Sequence, residues 1–105
     1  MTNELAGKIA IVTGGGRGLG RAMALGFAGA GAAGIVVTAA RSPDQVEAVA
    51  SEIEDIAGAG TALPLVADVT DRRACETVAA QAAEKFGSIH ILVNNTGGPA
   101  GGPIV

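Results

Sequence analysis

The sequence predicts an α/β fold in which helices cover both faces of a parallel sheet. Four short apolar runs that are typical of strands alternate with three segments whose apolar residues recur at helical spacing. Such alternation is typical of consecutive βαβ units. Because these crossovers are right-handed, the expected strand order is 3-2-1-4, that of a doubly wound sheet. A ligand is then expected at the carboxyl ends of the strands, where the order reverses.

The first βα unit is predicted from a continuous apolar run and the glycines that follow it. Residues 8–13 (KIAIVT) have the character of a central strand that is buried on both faces. The next helix is predicted to begin at Gly18 and to end at Gly31. Its apolar residues at helical spacing are Leu19, Met23, Phe27 and Ala30.

The second unit is predicted from a strand at residues 35–39 and a helix-start signal after it. Ser42 is expected to be the N-cap and Pro43 the first helical residue, with Gln45 completing a capping box. Gly58 and Gly60 mark the end of this helix. Its predicted apolar stripe consists of Val46, Val49, Ile53 and Ile56.

The third strand is predicted at residues 62–67 and the fourth at residues 89–94. Between them, either Thr70 or Asp71 can cap a helix that ends at Gly87. The residues 98–105 are rich in Gly and Pro and are expected to form a loop. The residues of the third helix that we expect to face inward are Cys75, Val78, Ala82 and Phe86.

Composition excludes several classes of function. The net charge is −3 and the 7 basic residues are scattered, so nucleic acid is not an expected partner. The single Cys75 cannot form an internal disulfide, and no apolar run approaches the ~20 residues of a membrane-spanning helix. We therefore expect a cytoplasmic protein. No Cys/His cluster has the spacing of a metal site.

The segment between the first strand and the first helix, residues 13–20 (TGGGRGLG), is the strongest functional signal. A pyrophosphate needs backbone N–H groups, the positive end of a helix and no obstructing side chains. Gly14 is expected to make the turn, Gly18 to allow close approach of the phosphate, and Gly20 to let the helix pack closely. The alternative is a generic glycine-rich turn, since a glycine pattern alone occurs in many unrelated loops.

The spacing TGxxxGxG, together with LVADVT after the third strand and LVNNTG after the fourth, resembles the short-chain dehydrogenase/reductase family. The resemblance covers essentially the whole chain. It implies a Rossmann-type fold in which residues 1–105 are the NADP(H)-binding half. Members similar to 3-oxoacyl-acyl-carrier-protein reductases fit these motifs about as well as sugar or steroid alcohol dehydrogenases do.

The resemblance also implies roles for single residues. Asp68 would accept a hydrogen bond from the adenine amine, and Val69 would pack on the ring. Asn94 would brace the sheet through its side-chain amide, while Asn95, Thr96 and Gly97 would line the ribose next to the nicotinamide. The expected cofactor-binding set is Gly14, Gly16, Arg17, Gly18, Leu19, Gly20, Arg41, Asp68, Val69, Asn95, Thr96 and Gly97.

The end of the second strand predicts NADP(H) rather than NAD(H). An acidic residue there would bind the ribose diol, but the sequence is Thr38-Ala39-Ala40-Arg41. A guanidinium at Arg41 can pair with the 2′-phosphate, and Arg17 is the second candidate. The alternatives are a solvated loop arginine for Arg41 and a surface residue at the helix entry for Arg17.

The resembling family moves a proton with a Tyr that is assisted by a Lys and a Ser. The 105 residues contain no Tyr, so we expect no catalytic residue in this chain and no turnover of a carbonyl or alcohol substrate by it.

His90 is expected to be structural. The apolar edge of the fourth strand is expected to pair with another copy in a homo-oligomer, to be covered in a longer protein, or to be exposed in a truncated product. Two other functions stay open, a dinucleotide-binding module without catalysis and a methyltransferase, although Arg41 argues against the second.

Overall fold

The computed structural model describes residues 3–95. Thr96, Gly97 and the predicted loop at 98–105 lie outside the described residues. Within the described range, strands and helices alternate in the predicted order. The elements are β1 (Ile9–Thr13), α1 (Gly18–Gly29), β2 (Gly34–Ala39), α2 (Pro43–Ala57), β3 (Ala62–Val66), α3 (Arg72–Phe86) and β4 (Ile91–Asn94).

The four strands form one parallel sheet, and their order is β3-β2-β1-β4. The predicted α/β class and strand order are therefore confirmed. In the register, Thr13 lies opposite Thr38 on one side and opposite Asn94 on the other. The carboxyl ends of β2, β1 and β4 thus lie at one edge of the sheet, where the functional site is expected.

Helices pack on both faces of the sheet, and each face has its own apolar core. On one face, α1 and α2 bury Ala24, Ala28 and Ile53 against Val12 and Val37 of the strands. On the other face, α3 contributes Val78 and Ala82, which lie against Ile11 and Val36. Because β1 and β2 are covered on both sides, their residues form nearly continuous buried runs.

The apolar residues of α1 that recur at helical spacing in the sequence are not its buried residues. Leu19 is 64% exposed, and the buried residues are Gly20, Ala24 and Ala28, which recur every fourth position. The physical reason is the entry of the helix, where Gly20 contacts the backbone of Gly14 and so turns the small residues toward the sheet. The larger Leu25 and Phe27 pack only partly against the core.

The predicted burial of Cys75 is wrong, because Cys75 is exposed. It lies at a groove of about 250 Å³ between α3 and the outer part of the sheet. Within the described residues no helix covers this part, so Leu92 of β4 is 65% exposed and Ile89 is 39% exposed. Ile56, at the end of the predicted stripe of α2, is 41% exposed, whereas the next residue, Ala57, packs partly against the core.

The helix starts differ from one another in their capping. Asp71, one of the two predicted caps of α3, accepts a hydrogen bond from the N–H of Arg73 at 2.9 Å. Pro43 is the first residue of α2, as predicted, but the Ser42 side chain makes no capping hydrogen bond, so the capping box is not formed. Among residues 3–95, none of the helices has the length and apolar character that a membrane crossing requires.

Candidate functional site: a cleft at the carboxyl edge of the sheet

A cleft of about 640 Å³ opens at the carboxyl edge of the sheet. Its floor includes Thr38 of β2, and three loops form its walls. The loop after β1 contributes glycines, the segment after β2 contributes Arg41, and the segment after β3 contributes Asp68 and Val69. The cleft therefore occupies the position where a doubly wound sheet binds its ligand.

The glycine loop has no room for side chains at several positions, among them Gly14 and Gly20. A Cβ atom on Gly14 would lie 2.7 Å from the backbone oxygen of Asn95, and the φ angle of Gly14 is +64°. A Cβ atom on Gly20 would lie 2.1 Å from the backbone oxygen of Gly14. The turn out of β1 and the start of α1 therefore pack directly against each other, as the predicted roles of these two glycines require.

The N-terminus of α1 points into this loop without a capping group. Its N-cap residue, Arg17, makes no side-chain cap, and the first turn contains no acidic residue. The first-turn N–H groups of a helix have no partner within the helix, and the helix dipole adds positive potential there. A diphosphate placed at this end of α1 would meet N–H donors and the Arg17 guanidinium, so the residues present fit a dinucleotide.

The wall after β2 is basic. Ala39 and Ala40 stand at the end of β2, and Arg41 follows them in the wall of the cleft. Arg17 lines the same cleft from the loop after β1. The two guanidinium-bearing residues that sequence analysis singled out therefore lie around one cavity.

Asp68 is held at the third wall by its own loop. Its Oδ1 atom accepts hydrogen bonds from the hydroxyl of Thr70 at 2.6 Å and from the N–H of Thr70 at 3.0 Å. These bonds lower the pKa of Asp68, and the positive charge of Arg41 lowers it further. Asp68 is therefore an ionised hydrogen-bond acceptor near neutral pH, and its Oδ2 atom has no hydrogen bond within residues 3–95.

Asn95 closes the cleft from the end of β4. The hydroxyl of Thr13 accepts a hydrogen bond from the N–H of Asn95 at 2.9 Å. The same hydroxyl lies 3.2 Å from Oδ1 of Asn94, to which it can donate. These contacts join the ends of β1 and β4, and the side chain of Asn94 takes part in them through the Thr13 hydroxyl.

The structure brings most of the predicted cofactor-binding residues together, but not all of them. Leu19 points away from the cleft, and Gly20 lies behind the loop and does not line the cavity. Thr96 and Gly97 lie outside the described residues. The predicted residues that line the cleft are Gly14, Gly16, Arg17, Gly18, Arg41, Asp68, Val69 and Asn95.

Seven residues that line the cleft were not in the predicted set: Thr38, Ala39, Ala40, Ser42, Gln45, Ala67 and Thr70. Ser42 and Gln45 line the cleft, and a Cβ atom on Gly16 would lie 3.1 Å from Cβ of Gln45. The signal that could have found them is their place directly after Arg41. Thr38 is buried, and its hydroxyl has no hydrogen-bond partner among the described residues.

His90, for which no functional role was predicted, has a structural one. Its side-chain Nδ1 atom accepts a hydrogen bond from the backbone N–H of Ile9 at 3.0 Å. The backbone N–H of His90 donates to the backbone oxygen of Ile9 at 2.9 Å. The imidazole thus extends the pairing of β4 with β1 at the end opposite the cleft.

The family model described as short chain dehydrogenase matches residues 8–105. The chain belongs to the short-chain dehydrogenase family. Members of this family are oxidoreductases that bind a nicotinamide dinucleotide. The finer resemblance to 3-oxoacyl-acyl-carrier-protein reductases is not specifically confirmed.

Among curated proteins, the chain is 44% identical over 95 residues to an uncharacterized oxidoreductase of Mycobacterium tuberculosis, covering 90% of this chain and 35% of the relative. The chain therefore spans about a third of the length of this relative. Among solved structures, a short-chain dehydrogenase from Burkholderia cenocepacia in complex with NADP is 41% identical, with a TM-score of 0.83 over 90% of this chain and 38% of that one. An NADH-dependent reductase complexed with NAD is 28% identical, with a TM-score of 0.81 over 93% of this chain and 39% of that one.

Proposed function

We propose that this chain is the cofactor-binding part of an NADP(H)-dependent oxidoreductase that acts on a carbonyl or alcohol. The family supplies the reaction class. The phosphate preference rests on this chain's own residues, because similar structures contain either NADP or NAD. The observation that carries the proposal is that Arg17 and Arg41 line one cleft in which Ala39 occupies the end of β2.

Each wall of the cleft would bind a different part of the cofactor. The pyrophosphate would lie on the glycine loop at the N-terminus of α1, and the 2′-phosphate would lie between Arg17 and Arg41. Ionised Asp68 would accept from the adenine amine, with Val69 against the ring. Asn95 would contact the ribose that carries the nicotinamide. The nicotinamide, when bound, supplies or accepts the hydride, and these residues orient it at the carboxyl edge of the sheet.

Calorimetric titration of the 105-residue chain with NADPH and with NADH tests this assignment. We expect NADPH to bind more tightly, and Arg41→Gln to weaken NADPH binding about tenfold or more while sparing NADH. The estimate reflects ~1.5–3 kcal/mol for a hydrogen bond to a charged group. Arg73→Gln on α3 is the matched control, since Arg73 does not line the cleft. Equal affinities for the two dinucleotides in the parent chain would show that Arg41 does not select the phosphate.

A second candidate function is dinucleotide binding without catalysis. The observation that favours it is the absence of Tyr from the 105 residues, since a positioned proton donor typically contributes about 10²–10⁴-fold to the rate. We expect no NADPH oxidation by this chain with a panel of aldehydes and ketones. A steady rate that Arg41→Asp abolishes would contradict that expectation. The substrate, the homo-oligomeric state and the cytoplasmic location stay predictions.

A further inference from the structure

The two helices that carry opposite walls of the cleft are joined by a single ion pair. Nε of Arg21 donates to Oε1 of Glu52 at 3.0 Å, and Nη2 of the same guanidinium donates to Oε2. Arg21 belongs to α1 and Glu52 to α2. Within residues 3–95 this is the one ion pair that joins two elements, because the other, between Arg72 and Glu76, lies inside α3.

Arg21 directly follows the glycine loop at residues 13–20, which is called the phosphate loop from here on. Its backbone N–H donates to the carbonyl oxygen of Arg17 at 3.3 Å, and Arg17 lines the cleft. The residue before it, Gly20, has no room for a Cβ atom against Gly14. Because these contacts with the loop involve backbone atoms, a displacement of Arg21 would move the loop itself.

Glu52 is connected to the opposite wall only through its helix. It lies in α2, whose first turn contains Gln45, and Gln45 packs against Gly16 of the phosphate loop. The segment that leads into α2 carries Arg41 and Ser42, which line the cleft. Any shift of α2 along α1 would change the distance between Arg41 and the phosphate loop.

The fully buried residues that α1 places against α2 are all small. The buried residues that α1 offers after Gly20 are Ala24 and Ala28, which lie in one cluster with Val46, Val49 and Ile53 of α2. Alanine side chains form low ridges, and interlocking ridges are what fix the relative position of packed helices. A two-bond guanidinium–carboxylate pair has defined geometry and can fix it instead. The hydrogen bond from Arg21 also lowers the pKa of Glu52, as expected for a pair that is kept ionised.

We propose that the Arg21–Glu52 pair is a positioning device that sets the width of the cofactor cleft by fixing α2 against α1. Neither residue lines the cleft, so the pair is expected to act equally on NADPH and NADH. This proposal rests on the proposed dinucleotide binding. It differs from the role of Arg41, which concerns the ratio of the two affinities.

The test is Glu52→Gln, measured by titration with NADPH and NADH separately. A pure charge effect would tighten the binding of an anionic cofactor, because a negative charge is removed. The positioning role predicts the opposite sign, a three- to tenfold weaker binding of both dinucleotides with their ratio unchanged. The double variant Arg21→Glu with Glu52→Arg restores the pair in reverse and should return both affinities to within threefold of the parent. Glu76→Gln, which breaks the ion pair inside α3, is the matched control and should change neither.

Hydrogen exchange in the ligand-free chain gives a readout that needs no cofactor. Glu52→Gln should speed exchange of the Arg21 amide at least threefold, and the reversed pair should restore the parent rate. Unchanged or tighter binding in Glu52→Gln, or an unchanged exchange rate at Arg21, overturns the proposal. Affinities are measured at a temperature at which every variant is folded. If Glu52→Gln lowers the unfolding temperature without changing the affinities, the pair has a structural role only and the proposal is overturned. Absence of dinucleotide binding by the parent chain contradicts the proposed function instead, and the exchange rate then decides about the pair.

Discussion

Thr13 and Thr38 lie side by side at the carboxyl ends of β1 and β2, yet within the described part of the chain only the hydroxyl of Thr13 has hydrogen-bond partners. Both residues are buried, with 6% and 1% of their surface exposed. The Thr13 hydroxyl accepts from the N–H of Asn95, whereas Oγ1 of Thr38 has no partner among residues 3–95. The same substitution at the two positions should therefore have opposite effects.

Replacing Thr13 with Val should destabilise the chain. The N–H of Asn95 would lose its acceptor, and an unpaired buried group costs ~1–3 kcal/mol. The free energy of unfolding from urea titration measures this loss. Thr13→Ser keeps the hydroxyl and should retain most of the stability, so an equal loss in Ser and Val variants would contradict the assigned hydrogen bond. Dinucleotide affinity should fall in the Val variant only, because Asn95 lines the cleft.

Replacing Thr38 with Val should stabilise the chain. Valine has nearly the same shape and removes a buried hydroxyl without a partner, for an expected gain of ~1 kcal/mol in the free energy of unfolding. NADPH affinity should stay unchanged, since the hydroxyl has almost no exposed surface. A loss of stability in this variant would show that the hydroxyl is hydrogen-bonded in solution.

The sheet could be predicted from the sequence because its signals are local. Each strand is a short apolar run, and the chirality of βαβ crossovers then leaves one strand order. The inward face of α1 could not be predicted in this way. Leu19 has the hydrophobicity of a core residue, but the contact between Gly20 and Gly14 rotates the helix so that Leu19 faces outward.

Site residues that follow the end of a strand could be predicted from the sequence. Contacts that depend on how two helices pack could not. Arg41, Asp68 and Asn95 come directly after the ends of strands, and all three line the cleft. The pairing of Arg21 with Glu52 depends on how α1 packs against α2, and no short-range pattern encodes it. Thr38 lacked a signal as well, because a lone Thr in a strand does not reveal whether its hydroxyl has a partner.

Two glycines of α1 should respond oppositely to replacement with alanine. At Gly20 a Cβ atom would lie 2.1 Å from the oxygen of Gly14 and 2.7 Å from Nδ2 of Asn95, so the loop must shift. At Gly26 no atom lies within 4 Å of the same position. We expect Gly26→Ala to raise the free energy of unfolding by ~0.5–1 kcal/mol, since alanine loses less entropy in a helix.

Gly20→Ala should lower stability by ~1–3 kcal/mol through overpacking and should weaken NADPH binding as the loop moves. Urea titration and calorimetry measure the two effects. The close packing of the loop against α1 would be refuted if Gly20→Ala behaved like Gly26→Ala.

The carboxylate of Asp68 should give the chain a pH dependence at the acid end. Its pKa lies below its usual value because the hydroxyl of Thr70 donates to it, with further contributions from the N–H of Thr70 and the charge of Arg41. A carboxyl group whose pKa is lower in the folded chain stabilises the fold above its unfolded pKa of about 4, and this contribution is lost as the pH falls through the folded pKa. If Asp68 accepts from the adenine amine as proposed, NADPH affinity should fall over the same acidic range, because only the ionised group accepts fully.

Thr70→Val tests the cause of this shift. The variant removes the hydroxyl bond but keeps the N–H bond, so the pKa of Asp68, measured from its carboxyl carbon resonance, should rise toward its usual value. The stability difference between parent and variant should shrink as the pH falls below about 4. Thr77→Val is the control, because the Thr77 hydroxyl bonds to the oxygen of Arg73, away from Asp68. If both variants left the Asp68 titration unchanged, the hydroxyl of Thr70 would not be the donor that holds this carboxylate ionised in the wall of the cleft.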